Sequence, residues 1–300
     1  MISIDFLITL IILILLRKKD LELRKSNKHA SKYILELGNR FSKELIKIKK
    51  ARQSDEFVTY YQPIIDLNSM KVINAEALIR WKQNSKIVLP TEFIQAAKEA
   101  GEMVAIDNWM LESSCIKCKE WHDSGVNDFC ISVNTTYKQL LQENFVGLVQ
   151  EVLKINSLAP MYLNLEITED EAIECPELIL DVLLKLKTLG VKLSLDDFGT
   201  GYSSLNYVSK LPIDFLKIDK LLIASLERSS KTEEVIKSII LLAHKLNIKV
   251  VAEGIETENQ LQILKELECD MVQGYLIGKP MKECEFEDRF IYTVQSIRIN

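Results

Sequence analysis

Three hundred residues suffice for one large domain with appendages, and a 47% hydrophobic share with 27% charged residues is that of a globular chain with a sizeable core. A net charge of −5 argues against a surface built for a nucleic-acid polymer. Six cysteines are too few for a disulfide framework and point to a reducing compartment.

The chain opens with Met1 to Leu16, apolar except for Ser3, Asp5 and Thr9, and continues at once with Arg17-Lys18-Lys19. As a helix this run reaches roughly 24 Å, a little short of the ~30 Å hydrocarbon core, and snorkelling basic side chains cover the deficit. A cleaved secretory leader would carry positive charge before the apolar run and a small-residue cleavage site after it, and neither is present. Arg17, Lys18, Lys19, Arg24, Lys25 and Lys28 all follow the run, which by the positive-inside rule places the bulk of the chain in the cytosol. Residues 1–19 are therefore expected to form a single-pass anchor in the cytoplasmic membrane, with an interfacial helix as the alternative.

Residues 20–53 contain no proline, and Ile34, Leu37, Phe41, Leu45 and Ile48 recur at helical steps, so an amphipathic linker helix is expected there. It either packs on its own domain or serves as a signalling stalk. Further on, Cys115 and Cys118 form a lone CxxC within the helical stretch Trp109 to Trp121. With no second pair, they read as half-buried helix cysteines rather than a zinc or redox site.

From Glu56 strands and helices alternate. Strands are expected at Val58–Ile65, Val72–Trp81, Phe129–Val133, Tyr162–Thr168, Val191–Asp196, Phe215–Asp219, Lys249–Ala252 and Met271–Gln273. Helices are expected at Thr91–Ala100, Val104–Trp121, Phe145–Ile155, Pro176–Leu189, Thr232–Leu246 and Glu258–Leu267. Alternation over about 240 residues indicates a TIM-like (β/α)₈ barrel. The first two strands are separated only by Asp66-Leu67-Asn68-Ser69, a hairpin spacing that makes one early strand antiparallel.

The period of two sorts each strand into faces. Lys217 and Asp219 share one face of their strand, opposite Leu216 and Ile218. Glu76, Leu78 and Arg80 share a face, as do Ser132 with Asn134, and Asn164 with Glu166 and Thr168. Asp196 and Asp197 end one strand and Glu253 another. A barrel gathers its strand ends, and five carboxylates cannot share a low-dielectric site without protons or cations. Oxygen donors without histidine or thiolate suit hard divalent ions, Mg²⁺ or Mn²⁺. Several carboxylates, one of them able to bridge, suit two metals set for in-line attack on a phosphodiester.

The segments Glu76-Ala77-Leu78-Ile79-Arg80-Trp81, Tyr61-Gln62-Pro63-Ile64, Ser132-Val133-Asn134 and Leu165-Glu166-Ile167-Thr168-Glu169 carry a further signal. So do the whole of Asp196 to Asp219, Ala252-Glu253-Gly254-Ile255-Glu256-Thr257 and Gln273-Gly274-Tyr275. Together, and in this order, they resemble the EAL family of cyclic di-GMP phosphodiesterases over residues 54–290, leaving 291–300 as a tail. The resemblance implies two-metal hydrolysis of one phosphodiester of cyclic di-GMP to linear pGpG. It implies that Glu76, Asn134, Glu166 and Asp196 hold one cation, and that Asp196, Asp197 and Glu253 hold a second. Lys217 would orient the attacking water or assist its deprotonation, with Glu76 and Glu253 counted alongside it in catalysis. Gln62, Leu78, Arg80, Gln273 and Tyr275 would contact the dinucleotide. Glu169 would brace the loop from Phe198 to Ser204, whose glycines aim Asp197, while Asp219 and Glu256 would act as loop-positioning groups. Pairing of two copies through the same domain is also implied. The competing reading is a silent EAL domain that binds cyclic di-GMP or a protein without cleaving, and such a receptor is expected to lack a ligand, Lys217 or the loop glutamate. All three are present here. Departures from the family pattern (Ile79, Glu268, and Leu221-Leu222-Ile223) fall outside this ligand set.

Overall fold

The structure, a computed structural model, describes residues 47–52, 54, 56–84, 86–170, 176–199, 208–228 and 230–292. Two compact units are present. In the one formed by residues 1–56 and 91–103, Ile48, Ala51, Phe93 and Ala97 are buried, and Glu102 pairs with Arg52 at 3.0 Å and Lys49 at 3.9 Å. The expected anchor over residues 1–19 and all but the last few residues of the linker lie outside the described residues. No helix among those described is long and apolar enough to cross a membrane.

The second unit, residues 57–90 and 104–300, holds the barrel. Its strands are β1 (Phe57–Asp66), β2 (Lys71–Gln83), β4 (Cys130–Asn134), β5 (Leu163–Thr168), β6 (Lys192–Phe198), β7 (Phe215–Ile218), β8 (Lys249–Glu253) and β9 (Met271–Gln273). Among the described residues these eight run in the order β1-β9-β8-β7-β6-β5-β4-β2, and pairing of β1 with β2 closes the ring. Neighbours are parallel except at β1, which is antiparallel to both β2 and β9. The hairpin explains this orientation. Asp66 Oδ1 accepts from the Ser69 backbone N–H and hydroxyl, each at 2.7 Å, and Met70 takes the left-handed conformation at φ 55° that lets β2 return.

Helices follow the strands: α1 (Pro90–Glu99), α2 (Met103–Asp123), α3 (Tyr137–Leu140), α4 (Phe145–Ile155), α5 (Pro176–Leu189), α6 (Lys220–Ala224), α7 (Ser230–Lys245), α8 (Glu258–Glu266) and α9 (Glu283–Phe286). Ile239, Leu242 and Ala243 of α7 line one apolar crevice with Leu216 and Phe198, so the outward faces of β6 and β7 are covered by that helix. Trp121 of α2 stacks on Phe286 at 5.2 Å and meets Tyr61 edge-on at 5.0 Å, joining α9 to the outside of β1. Cys115 and Cys118 are fully buried rather than half-buried, because they lie on the packed side of α2, and burial pushes the Cys115 thiol up to about 12. The strands β3 (Lys86–Val88) and β10 (Met281–Lys282), with α3, α6 and α9, were not anticipated. Each is too short to establish a period.

Candidate active site

The carboxyl ends of the parallel strands bring Glu76, Asn134, Glu166, Asp196, Lys217, Glu253 and Gln273 together. Lys217 is at the centre, 1% exposed. Its ammonium lies 2.5 Å from Glu166 Oε2, 2.7 Å from Glu253 Oε1 and 3.2 Å from Asp196 Oδ1, with Glu76 Oε2 at 3.7 Å. Three N–H donors thus meet three carboxylates at hydrogen-bonding distance. Strand alternation explains why a lysine is inside, since Leu216 and Ile218 take the outer, helix-packed face.

Glu76 is buried but well supplied with donors: Gln273 Nε2 donates to Oε2 at 2.7 Å and Asn134 Nδ2 to Oε1 at 2.8 Å. Burial pushes its carboxyl up, while Lys217 and these two amides more than offset it and hold the group below its ordinary value. Glu166 has less help. Burial, with repulsion from Glu76 and Asp196, outweighs Lys217 and raises it to about 8. Glu253 is raised in the same way, by burial and then by Asp196 and Glu76. The Lys217 ammonium stays charged, because the surrounding carboxylates outweigh its own desolvation. One ammonium cannot neutralise this many acids, so the site has capacity for further positive charge.

Asp196 and Asp197 are adjacent on β6, and regular alternation would send them to opposite faces. Asp197 instead adopts φ 56°, its N–H donates to Asp196 Oδ1 at 2.9 Å, and the β6–β7 register shifts between Leu195 and Phe198. This bulge keeps both carboxylates at the strand end. Asp196, Asp197 and Glu253 each offer an oxygen within 4.8 Å of the others, a grouping that fits a hard divalent ion. The backbone of Asp197 itself makes the turn, ahead of the glycines expected to aim it; Gly199 is described, but residues 200–207 are not. Burial and then Asp196 and Asp219 raise the Asp197 carboxyl.

Around this centre, Glu169 Oε2 accepts from the Gly199 backbone N–H at 3.0 Å, bracing the start of the loop. Asp219 caps α6 by accepting from Leu221 N–H at 2.7 Å, and its own N–H donates to the Phe198 carbonyl at 3.2 Å. Glu256 differs from expectation: its carboxylate is exposed, and its backbone N–H donates to Gln260 Oε1 at 2.8 Å as part of the cap of α8. Gln62 faces Glu76 across the β1–β2 pair, accepting from Gln273 Nε2 at 3.1 Å and donating to the Gly278 carbonyl at 3.1 Å. Arg80 donates to the Ile79 carbonyl at 2.8 Å, and its guanidinium sits 5.4 Å from the centre of the Tyr60 ring. Leu78 is half-buried and Tyr275 is exposed, with Lys279 Nζ 5.0 Å from its ring centre. Tyr60 was missed in the sequence; its pairing with Leu78 on the antiparallel β1 is what identifies its place.

Comparisons with known proteins agree with this arrangement. Cyclic di-GMP phosphodiesterase NbdA of Pseudomonas aeruginosa is 38% identical over 242 residues, covering 80% of this chain and 31% of that protein. Signaling protein YkoW of Bacillus subtilis is 33% identical over 286 residues, covering 92% of this chain and 36% of its own length. The chain thus spans about a third of the length of these relatives. The solved PaMucR phosphodiesterase, in complex with c-di-GMP, superposes with a TM-score of 0.78 at 36% identity, over 81% of this chain and 99% of that one. The EAL domain family model matches residues 47–280, and the chain belongs to the EAL domain family.

Proposed function

We propose that this chain hydrolyses one phosphodiester bond of cyclic di-GMP to linear pGpG with the help of two divalent cations, Mg²⁺ or Mn²⁺. The observation that carries the reading is the grouping of Asp196, Asp197 and Glu253 oxygens within 4.8 Å beside the buried Lys217. Glu76, Asn134, Glu166 and Asp196 would hold one cation, and Asp196, Asp197 and Glu253 the other. The cations would supply Lewis-acid activation of a water nucleophile and offset charge at the phosphate. Lys217 holds Glu166, Glu253 and Asp196 in register, and its charge would assist deprotonation of the attacking water. Arg80, its planar guanidinium held in place by Ile79 and Tyr60, has further N–H groups for phosphate. Gln62, Leu78 and Gln273 would contact the dinucleotide, and Tyr275 has an exposed ring on which a base could stack.

Incubating the full chain with cyclic di-GMP and Mn²⁺ and separating the nucleotides by chromatography tests this. Formation of pGpG that disappears in Glu76→Ala and with chelator is the expected result. Binding without cleavage would move the chain to the receptor reading. The membrane anchor over residues 1–19 and self-association are further proposals that rest on the sequence; recovery of the chain in the soluble fraction of lysed cells would refute the first, and a monomer in detergent the second.

A further inference from the structure

Two residues below the site, each barrel strand points another side chain inward, and this layer is divided in two. Below Lys217, Glu253 and Gln273 it is apolar, with Phe215, Val251 and Met271, which pack with Ile64 of β1. Below Glu76, Asn134, Glu166 and Asp196 it is polar: Asn74, Ser132, Asn164 and Ser194, all buried. These four are hydrogen-bonded in a row across β2, β4, β5 and β6. Asn74 Nδ2 donates to Ser132 Oγ at 2.9 Å, Asn164 Nδ2 donates to the same oxygen at 2.8 Å, and Ser194 Oγ donates to Asn164 Oδ1 at 2.9 Å.

A barrel layer is ordinarily filled by branched apolar side chains, and four polar groups in an interior are tolerated only when bonded. Each of the four makes at least one such bond, though Asn74 Oδ1 accepts none, and the row has one bond upward. Asn164 Nδ2 lies 3.2 Å from Glu166 Oε1. Asn164 Nδ2 also lies 2.7 Å from Ser194 Oγ, so its two amide protons are shared among Ser194, Ser132 and Glu166. The other Glu166 oxygen is the one held by Lys217 at 2.5 Å. Glu166 is therefore clamped from below by the row and from the side by the lysine. The polar half of the layer coincides strand for strand with the four residues assigned above to a single cation.

We propose that the Asn74–Ser132–Asn164–Ser194 row is a positioning layer that sets the orientation of the Glu166 carboxylate, and with it the affinity of the Glu76–Asn134–Glu166–Asp196 set for a divalent cation. The inference rests on the metal-dependent reading of the site. Residues that orient ligands from behind commonly change metal affinity roughly 10–100-fold when removed.

The test is Mn²⁺ titration of the full chain by calorimetry and electron paramagnetic resonance, for the wild type, Asn164→Ala, Ser194→Ala and, as a control in the apolar half of the layer, Val251→Ala. Thermal stability of each is measured with chelator. Asn164→Ala is expected to weaken one class of Mn²⁺ site by roughly tenfold or more, and Ser194→Ala, which deletes one hydroxyl and keeps the fold at least risk, to weaken it in the same direction. Val251→Ala is expected to lower stability and leave Mn²⁺ affinity within about twofold, because this apolar side chain lies below Glu253 without a hydrogen bond to give it. Equal weakening by Val251→Ala and Ser194→Ala, or unchanged affinity in both polar variants, overturns the positioning role while the wild type still binds Mn²⁺ and cleaves. A wild type that takes up no Mn²⁺ overturns the metal reading, and this inference with it.

Discussion

Replacing Lys217 by methionine keeps most of the buried volume and removes the only ammonium within hydrogen-bonding distance of Glu166, Glu253 and Asp196 among the described residues. In metal-free protein one more carboxyl must then stay protonated to avoid an uncompensated buried charge. Glu76, whose ordinary value is 4.5 and which, against burial, Lys217 helps to hold below it, is the carboxyl affected, and holding it neutral at pH 7 costs about 3.4 kcal/mol at 1.36 kcal/mol per pH unit. That lies within the range of about 3–5 kcal/mol for removing one partner of a buried ion pair. The sign follows from linkage. The folded variant binds more protons than the unfolded chain above pH 4.5, so its deficit relative to the wild type grows with pH, from about 0.7 kcal/mol at pH 5 to about 4.8 at pH 8. Denaturant unfolding with chelator present, at several pH values between 5 and 8, measures it; at pH 7 the loss corresponds to a fall in Tm of roughly 7–14 °C. A deficit that stays constant across this range would refute the reasoning, since it would mean that Lys217 contributes packing and not charge.

Further outcomes follow from individual contacts. Asp197→Asn keeps a residue tolerant of the left-handed backbone and removes the repulsion from Asp196, so the metal-free variant should be slightly more stable at pH 8 than the wild type, yet bind Mn²⁺ more weakly; calorimetry reads both. Thr257 heads the reciprocal cap of α8 with Gln260, so Thr257→Ala should cost about 1 kcal/mol in denaturant unfolding and leave the kcat for pGpG formation unchanged. A Cβ on Gly274 would meet the Ile255 carbonyl oxygen at 2.2 Å and its nitrogen at 2.3 Å, both backbone atoms. Gly274→Ala must therefore shift the chain next to Gln273; a melting temperature lower by several degrees, with a raised KM, is expected.

The sequence by itself determined the barrel and most of its inner face. Eight strands with period-two alternation and intervening amphipathic helices left one architecture, and the short hairpin spacing at Asp66 to Ser69 made β1 the antiparallel member. The same alternation placed Glu76, Glu166 and Lys217 on inward faces, because a side chain's face on a strand is a local property of the backbone. Tertiary structure alone decided what those faces meet. That Lys217 reaches three carboxylates from three other strands depends on barrel closure, a long-range fact no local pattern carries. The bulge at Asp197 reverses the face that alternation assigns it, because the β6–β7 register and a left-handed backbone, not the period, set its direction. Glu256 shows the converse. Its motif implies a loop-positioning carboxylate, whereas its backbone N–H joins the cap of α8 and the residue is exposed. Alternation already put Asn164 on the face of Glu166, but its bond to Ser194, thirty residues on, is decided by strand pairing, which stacks the two beneath Glu166 in a dry interior.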